Sequence, residues 1–311
     1  MSRNASRTFP ASRDAPEPGR AHSLTAARDW VAGARPRTLP AAVVPVVVGT
    51  AVASAGGAVI WWRSLYALIV AVAIQVGTNY ANDYSDGVRG TDAERVGPVR
   101  LVAGGLAPAR QVRTASFYAF GVAAVAGLVL ALATTRWLLV VGAACLAAGW
   151  FYTGGPRPYG YAGFGEVFVF VFFGLVAVIG TAFLSLGRIT ALAVVAAIPV
   201  GLLATALLVV NNLRDLQSDR QAGKHTLAVR LGAPATRRLY AACVIGALAP
   251  VLVLAFWRPL ALLALLAVIP ALPPLRRVLG GAVGRDLVSA LVGTGILQLA
   301  FGALLAVGIA W

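Results

Sequence analysis

The sequence predicts an all-α polytopic membrane protein, a bundle of nine transmembrane helices, and three observations carry that prediction. Hydrophobic residues make up 59% of the 311 positions and charged ones only 12%, with a mean hydropathy of +0.81; soluble domains are far richer in charge. Apolar runs long enough to cross a hydrocarbon core recur along the chain, separated by short polar stretches. Basic residues are distributed with a period of two spans, as orientation in a membrane demands.

Residues 1–28 are rich in Ser, Arg, Ala and Pro and hold no apolar run, so they read as a disordered basic cytoplasmic tail. They lack the pattern of a cleavable signal, because the apolar segment that follows is long and continues into further spans. The rest, 29–311, reads as a single transmembrane domain. Trp30 and the neighbouring arginines form an interfacial anchor before the first span. The spans are expected at 38–56, 64–84, 115–134, 136–153, 164–185, 189–213, 238–256, 259–279 and 288–309. Several connections are only a few residues long, which makes the flanking spans antiparallel hairpins.

With the N-terminus inside, 22 of the 26 basic residues fall on the inner side. The outer loops keep Arg63, Arg136, Arg188 and Arg258 alone. The charge of +15 therefore reports topology, N-terminus in and C-terminus out, and implies no nucleic-acid partner. Cys145 and Cys243 sit in separate apolar runs, far from any His, which leaves neither a disulfide framework nor a zinc pattern.

The eleven acidic residues are more unevenly placed than the basic ones. Asp14, Glu17 and Asp29 precede the first span, Asp286 is placed to cap the last helix, and the other seven lie in three inner loops. Asn79, Asn82, Asp83 and Asp86 fall at i, i+3, i+4 and i+7, on one helical face where the second span ends; Asp92 and Glu94 follow. After the sixth span, Asn211, Asp215 and Asp219 repeat the device at i, i+4 and i+8. A carboxylate inside a membrane costs roughly 2.5–3.5 kcal/mol on insertion scales, so such groups mark a functional site by default. Asp86 and Asp215 lie 129 residues apart at the inner ends of even-numbered spans. A parallel internal repeat would place them so.

Two such clusters on one cavity repel each other, and a cation between them is required. Arg89, Arg95 and Arg100 in the first loop and Arg214, Arg220 and Lys224 in the second supply part of it. Carboxylates and amides without His or Cys are hard oxygen ligands of the kind that suits Mg²⁺, which binds through one or two carboxylates plus substrate phosphates. The pattern fits a diphosphate held as a leaving group, with charge developing on it met by preplaced cations. In the loop after the fourth span, Tyr152, Tyr159 and Tyr161 bring aromatic rings to the inner mouth. They read either as an interfacial belt or, for Tyr152, as a face that stabilises a carbocation. Glu166 reads as a cap or as a contact to an aromatic substrate.

N-D-x-x-D from Asn82 to Asp86 and D-x-x-x-D from Asp215 to Asp219, on this background, resemble the two aspartate-rich motifs of the UbiA superfamily of intramembrane prenyltransferases. The stretches NDYSDGVRGTDAERVGPVRLVAGG, YTGGPRPYGYAGFGE and NNLRDLQSDRQAGKHTLAVRLG are similar, more narrowly, to the branch that prenylates 1,4-dihydroxy-2-naphthoate. The resemblance runs from about Arg28 to the C-terminus. Gly90 stands where the broader pattern has an aspartate, leaving Asp92 as the nearest substitute, and Asn211 and Asn212 stand where many members are acidic.

The resemblance implies Mg²⁺-dependent transfer of a polyprenyl chain from its diphosphate to 1,4-dihydroxy-2-naphthoate, with loss of CO₂ and diphosphate, in the cytoplasmic membrane and with the site facing the cytoplasm. Asn82, Asp83, Asp86, Asn211, Asp215 and Asp219 are then the metal set. Asn82, Arg89, Arg95, Arg100, Arg214 and Lys224 meet the diphosphate, and Asp83, Asp86, Asp215, Asp219 and Tyr152 do the catalysis. Other acceptors, 4-hydroxybenzoate or homogentisate, keep the chemistry and change the pocket. A transporter is the reading from another class, but no acidic residue lies mid-span, where carriers place their sites.

Overall fold

The computed structural model describes residues 26–91 and 100–311. The tail up to residue 25 and the segment 92–99, which holds Asp92, Glu94 and Arg95, lie outside the described residues. Among the described residues the secondary structure is entirely helical. A short helix α1 (Ala27–Gly33) is the first described element. There follow α2 (Pro40–Ala55), α3 (Trp61–Arg89), α4 (Ala109–Ala133), α5 (Trp137–Phe151), α6 (Gly165–Leu186) and α7 (Ala191–Arg214). A short α8 (Leu216–Gln221) precedes α9 (Leu227–Leu254), α10 (Pro259–Leu279) and α11 (Asp286–Ala310).

Helices stand at all nine expected span positions, but only seven of them are long and apolar enough to cross a membrane by themselves. The expected span 38–56 shortens to the 16 residues of α2, about 24 Å. Pro36 and Pro40 each begin a helical segment, Arg35 before them takes a left-handed conformation (φ 54°), and the chain bends by 54° between 27–38 and α2. The expected span 136–153 becomes the 15 residues of α5, about 22 Å, ended by the Gly154-Gly155-Pro156 turn. In the other direction α9 starts eleven residues early, through a kink at Gly232 and Pro234.

The core is organised on α7, whose face of Ala193, Ala196, Ala197, Val200, Leu203 and Ala204 is buried nearly all round. Small residues let its neighbours approach closely, since apolar side chains gain no hydrophobic drive from lipid and packing must hold the helices. One close approach is Gly174 against Gly201, where a Cβ would stand 2.6 Å from the facing Cα. At that contact α6 opens into a π-helical segment, Phe170–Val176. The wider turn keeps Phe168, Phe172, Phe173 and Val176 on one cavity wall.

Candidate active site

The carboxylates are buried, and each has charged or hydrogen-bonding partners. Asp83, 1% exposed, accepts the Leu101 and Val102 N–H groups at 2.9 and 3.0 Å, one on each oxygen. It thereby ties the loop before α4 to α3. Asp86 accepts the Tyr161 hydroxyl and pairs with Lys224 Nζ at 2.9 Å. The same ammonium stands 3.9 Å from Asp219 Oδ1. Lys224 therefore bridges the two acidic stripes, from the turn that follows α8, with its side chain only 4% exposed. Its position follows from local geometry: Gly223 adopts φ 70°, and the Lys224 N–H returns to the Asp219 carbonyl at 2.8 Å, closing the turn.

Tyr161 is the third member of this junction. Its ring lies 4.9 Å from Lys224 Nζ and 5.2 Å from the Arg89 guanidinium carbon, cation–π distances to both. Burial pushes its phenol above the ordinary range, and the neighbouring Asp86 carboxylate adds to the effect, so the hydroxyl stays a donor. Burial likewise raises the Tyr159 phenol.

The second stripe is held internally. Arg214 Nε and Nη2 clasp the two Asp215 oxygens at 2.8 and 2.7 Å, and Nη2 also reaches Asn211 Oδ1 at 2.9 Å. This bidentate fork is the strong form of the interaction, and both side chains are nearly fully buried. Asn82 accepts the Thr153 hydroxyl at 2.6 Å. Arg89 donates to the Thr153 and Gly155 carbonyls at 2.5 Å each, holding the glycine-rich turn after α5.

The expected metal set thus divides. Asp86 and Asp219 meet across Lys224, Asn211 and Asp215 across Arg214, while Asp83 faces backbone amides. Among the described residues no three Asp, Glu, His or Cys side chains converge.

A cavity of about 280 Å³ runs from the polar end into the bundle. Arg35, Thr38, Gln75, Asn79, Asn82 and Asn211 line its head, Tyr152, Tyr159 and Phe168 its neck. Ala67, Val70, Leu130, Leu138, Val141 and Leu184 line its body. Sequence reasoning missed the share of the head contributed by the α1–α2 elbow. Asn79 Nδ2 donates to the Ala34 carbonyl at 2.8 Å and to Thr38 Oγ1 at 3.1 Å, and Gln75 Nε2 to Thr38 Oγ1 at 3.1 Å. Pro36 and Pro40, which break the run before the first span, were the available signal. Glu166 is buried and accepts Asn212 Nδ2 at 3.0 Å, which sets the second asparagine of the Asn211-Asn212 pair away from the cavity.

A polar head joined to a long apolar body suits an amphiphile. The chain belongs to the UbiA prenyltransferase family, whose model it matches over residues 42–280. It is a multi-pass membrane protein of that family, with apolar helices throughout. It is 52% identical over 273 residues to a Mycobacterium tuberculosis protein named 1,4-dihydroxy-2-naphthoate octaprenyltransferase, covering 87% of this chain and 92% of that one. Its fold resembles that of a UbiA homolog from Aeropyrum pernix K1 (TM-score 0.66, 15% identity, 86% of this chain and 97% of that one). It also resembles a UbiA homolog from Archaeoglobus fulgidus bound to GPP and Mg²⁺ (TM-score 0.56, 13% identity, 89% and 99%).

Proposed function

We propose that this protein transfers a polyprenyl chain from polyprenyl diphosphate to 1,4-dihydroxy-2-naphthoate, with loss of CO₂ and diphosphate, giving the quinol form of demethylmenaquinone. The observation that carries the reading is the meeting of both acidic stripes at Lys224, beside the head of an apolar cavity. The name of the mycobacterial relative supports the choice of acceptor.

The donor set fits Mg²⁺. Its oxygens are hard, and the place between Asp86 and Asp219 already holds a cation, the Lys224 ammonium. Mg²⁺ needs only one or two carboxylates and leaves its remaining positions to water and phosphate, so separated pairs suffice. Asn82, Asp83, Asp86, Asn211, Asp215 and Asp219 would hold it, and the ion would supply charge neutralisation for the departing diphosphate.

Lys224 and Arg214, joined by Arg95 and Arg100, bind diphosphate oxygens and stabilise the charge that develops there. As the allylic C–O bond breaks, the Tyr152, Tyr159 and Phe168 faces at the cavity neck lie where the carbocation forms. The electron-rich naphthoate ring attacks that carbon. Carbon dioxide then leaves the ring and aromaticity returns. The apolar body keeps the chain and excludes water, which would otherwise capture the cation.

The same reading places nine spans in the cytoplasmic membrane, N-terminus in and C-terminus out, with residues 1–28 as a tail and the site facing the cytoplasm. α2 and α5 cross as short helices, and the two acidic stripes descend from an internal repeat.

Purified protein in detergent, supplied with a polyprenyl diphosphate, 1,4-dihydroxy-2-naphthoate and Mg²⁺ and challenged with 4-hydroxybenzoate, tests the proposal. Prenylated naphthoate, lost on chelation, is the expected product. Prenylation of the hydroxybenzoate alone would move the acceptor, and absence of any diphosphate release would end the enzyme reading.

A further inference from the structure

Many glycines in this bundle sit where a side chain would collide: a Cβ at Gly49, Gly77, Gly149, Gly201 or Gly302 would lie within 3 Å of a neighbouring atom. These are packing glycines. Three others border the cavity and meet no such neighbour. At Gly142 and Gly180 an added Cβ finds nothing within 4 Å, and at Gly127 only the Val70 side chain, itself part of the cavity wall, at 4.0 Å. All three lie inside helices with no left-handed backbone, so Gly has no conformational reason to be there. Helical glycine costs about 1 kcal/mol against alanine, and here no packing contact returns it.

We infer that Gly127, Gly142 and Gly180 set the bore of the channel that takes the isoprenoid chain, and so decide how long a donor the enzyme accepts. The inference rests on the prenyltransferase reading given above. The three stand at graded depths. Measured along their helices from the end that carries the acidic stripes, Gly142 lies about 14 Å in, Gly180 about 22 Å and Gly127 about 27 Å. Val46, Ala67, Leu130 and Leu184 also line the cavity and pack together as one apolar cluster. A bulky side chain at any of the three fills the bore at its own depth and leaves the diphosphate head untouched.

The test is a donor-length series from geranyl to octaprenyl diphosphate, run on the wild type and on Gly142→Phe, Gly180→Phe and Gly127→Phe, with the three Ala variants alongside. The Ala variants keep the long-donor activity. Each Phe variant keeps kcat/KM for geranyl diphosphate and loses at least about tenfold for the octaprenyl donor, the discrimination that a single displaced methylene gives in an apolar pocket. The longest donor accepted rises in the order Gly142, Gly180, Gly127. Equal activity with short and long donors in all three Phe variants would overturn the inference, as would an equal loss for both in a folded, monodisperse protein. A wild type that turns over no donor of any length would instead defeat the prenyltransferase reading itself.

Discussion

Replacing Lys224 with Met tests the junction that joins the two halves of the site. The substitution keeps most of the side-chain volume and removes the one ammonium that touches both stripes, 2.9 Å from Asp86 and 3.9 Å from Asp219. Both carboxylates are 2–3% exposed, so neither gains water in exchange. Breaking a buried pair on one side costs about 3–5 kcal/mol, because the remaining charge stays desolvated. At roughly 2–4 °C per kcal/mol for a chain of this size, the melting temperature in detergent falls by about 6–20 °C. Millimolar Mg²⁺ recovers more of the loss in Lys224→Met than it adds to the wild type, since a divalent cation can take the vacated position between Asp86 and Asp219. Adding Asp86→Asn to Lys224→Met restores part of the stability, the signature of a coupled pair. The measurement is tryptophan-fluorescence melting with and without chelator. An unchanged melting temperature, or a loss that Asp86→Asn deepens additively, would refute the bridging role.

Asp86→Ala and Asp215→Ala each lower turnover by at least about 10²–10³, the scale of losing one charge-stabilising group; product formation by folded protein checks both, and retained Mg²⁺-dependent activity in either would sink the two-stripe metal model. Chelation abolishes product formation and Mg²⁺ restores it, whereas Ca²⁺ restores less because it prefers longer bonds and more ligands; a metal titration after dialysis reads the difference. Tyr161→Phe keeps the ring between Arg89 and Lys224 and removes only the donor to Asp86. A hydrogen bond to a charged group is worth about 1.5–3 kcal/mol, so kcat/KM falls roughly 10- to 100-fold. Because the folded phenol titrates above its ordinary value of about 10, the wild type shows no loss from Tyr161 below that pH, and the folded state loses stability only as pH rises beyond it. A pH-rate profile with a Tyr161-dependent limb below pH 9 would contradict this.

Much of the fold was legible because a membrane permits few arrangements of apolar runs: helices stand at every expected position. What composition could not give was where helices stop. α2 and α5 are cut short by prolines and glycines whose effect depends on the turn each enters, Arg35 in a left-handed conformation being the clearest case. The site shows the same division. Helical spacing placed Asn82, Asp83 and Asp86 on one face, and they are all buried. Spacing could not say that Asp83 turns to the Leu101 and Val102 amides while Asp86, three residues on, meets Lys224, because those partners come from loops 18 and more than 100 residues away.

Arg89 makes the physical reason explicit. Sequence reasoning assigned charges by neighbourhood, and an arginine beside an aspartate-rich run reads as a phosphate ligand. In the fold its guanidinium also meets a demand that the sequence did not show. The turn after α5 exposes the Thr153 and Gly155 carbonyls close to the membrane boundary, where unpaired backbone acceptors cost several kcal/mol, and Arg89 satisfies both. That contact holds the loop carrying Tyr159 and Tyr161 against α3, and Tyr161 in turn lies between Arg89 and Lys224. An arginine on the first stripe thus fixes the aromatic residue that meets the lysine of the second. Three loops separated in sequence are assembled by side chains, a role that the charge pattern of the motif alone does not reveal.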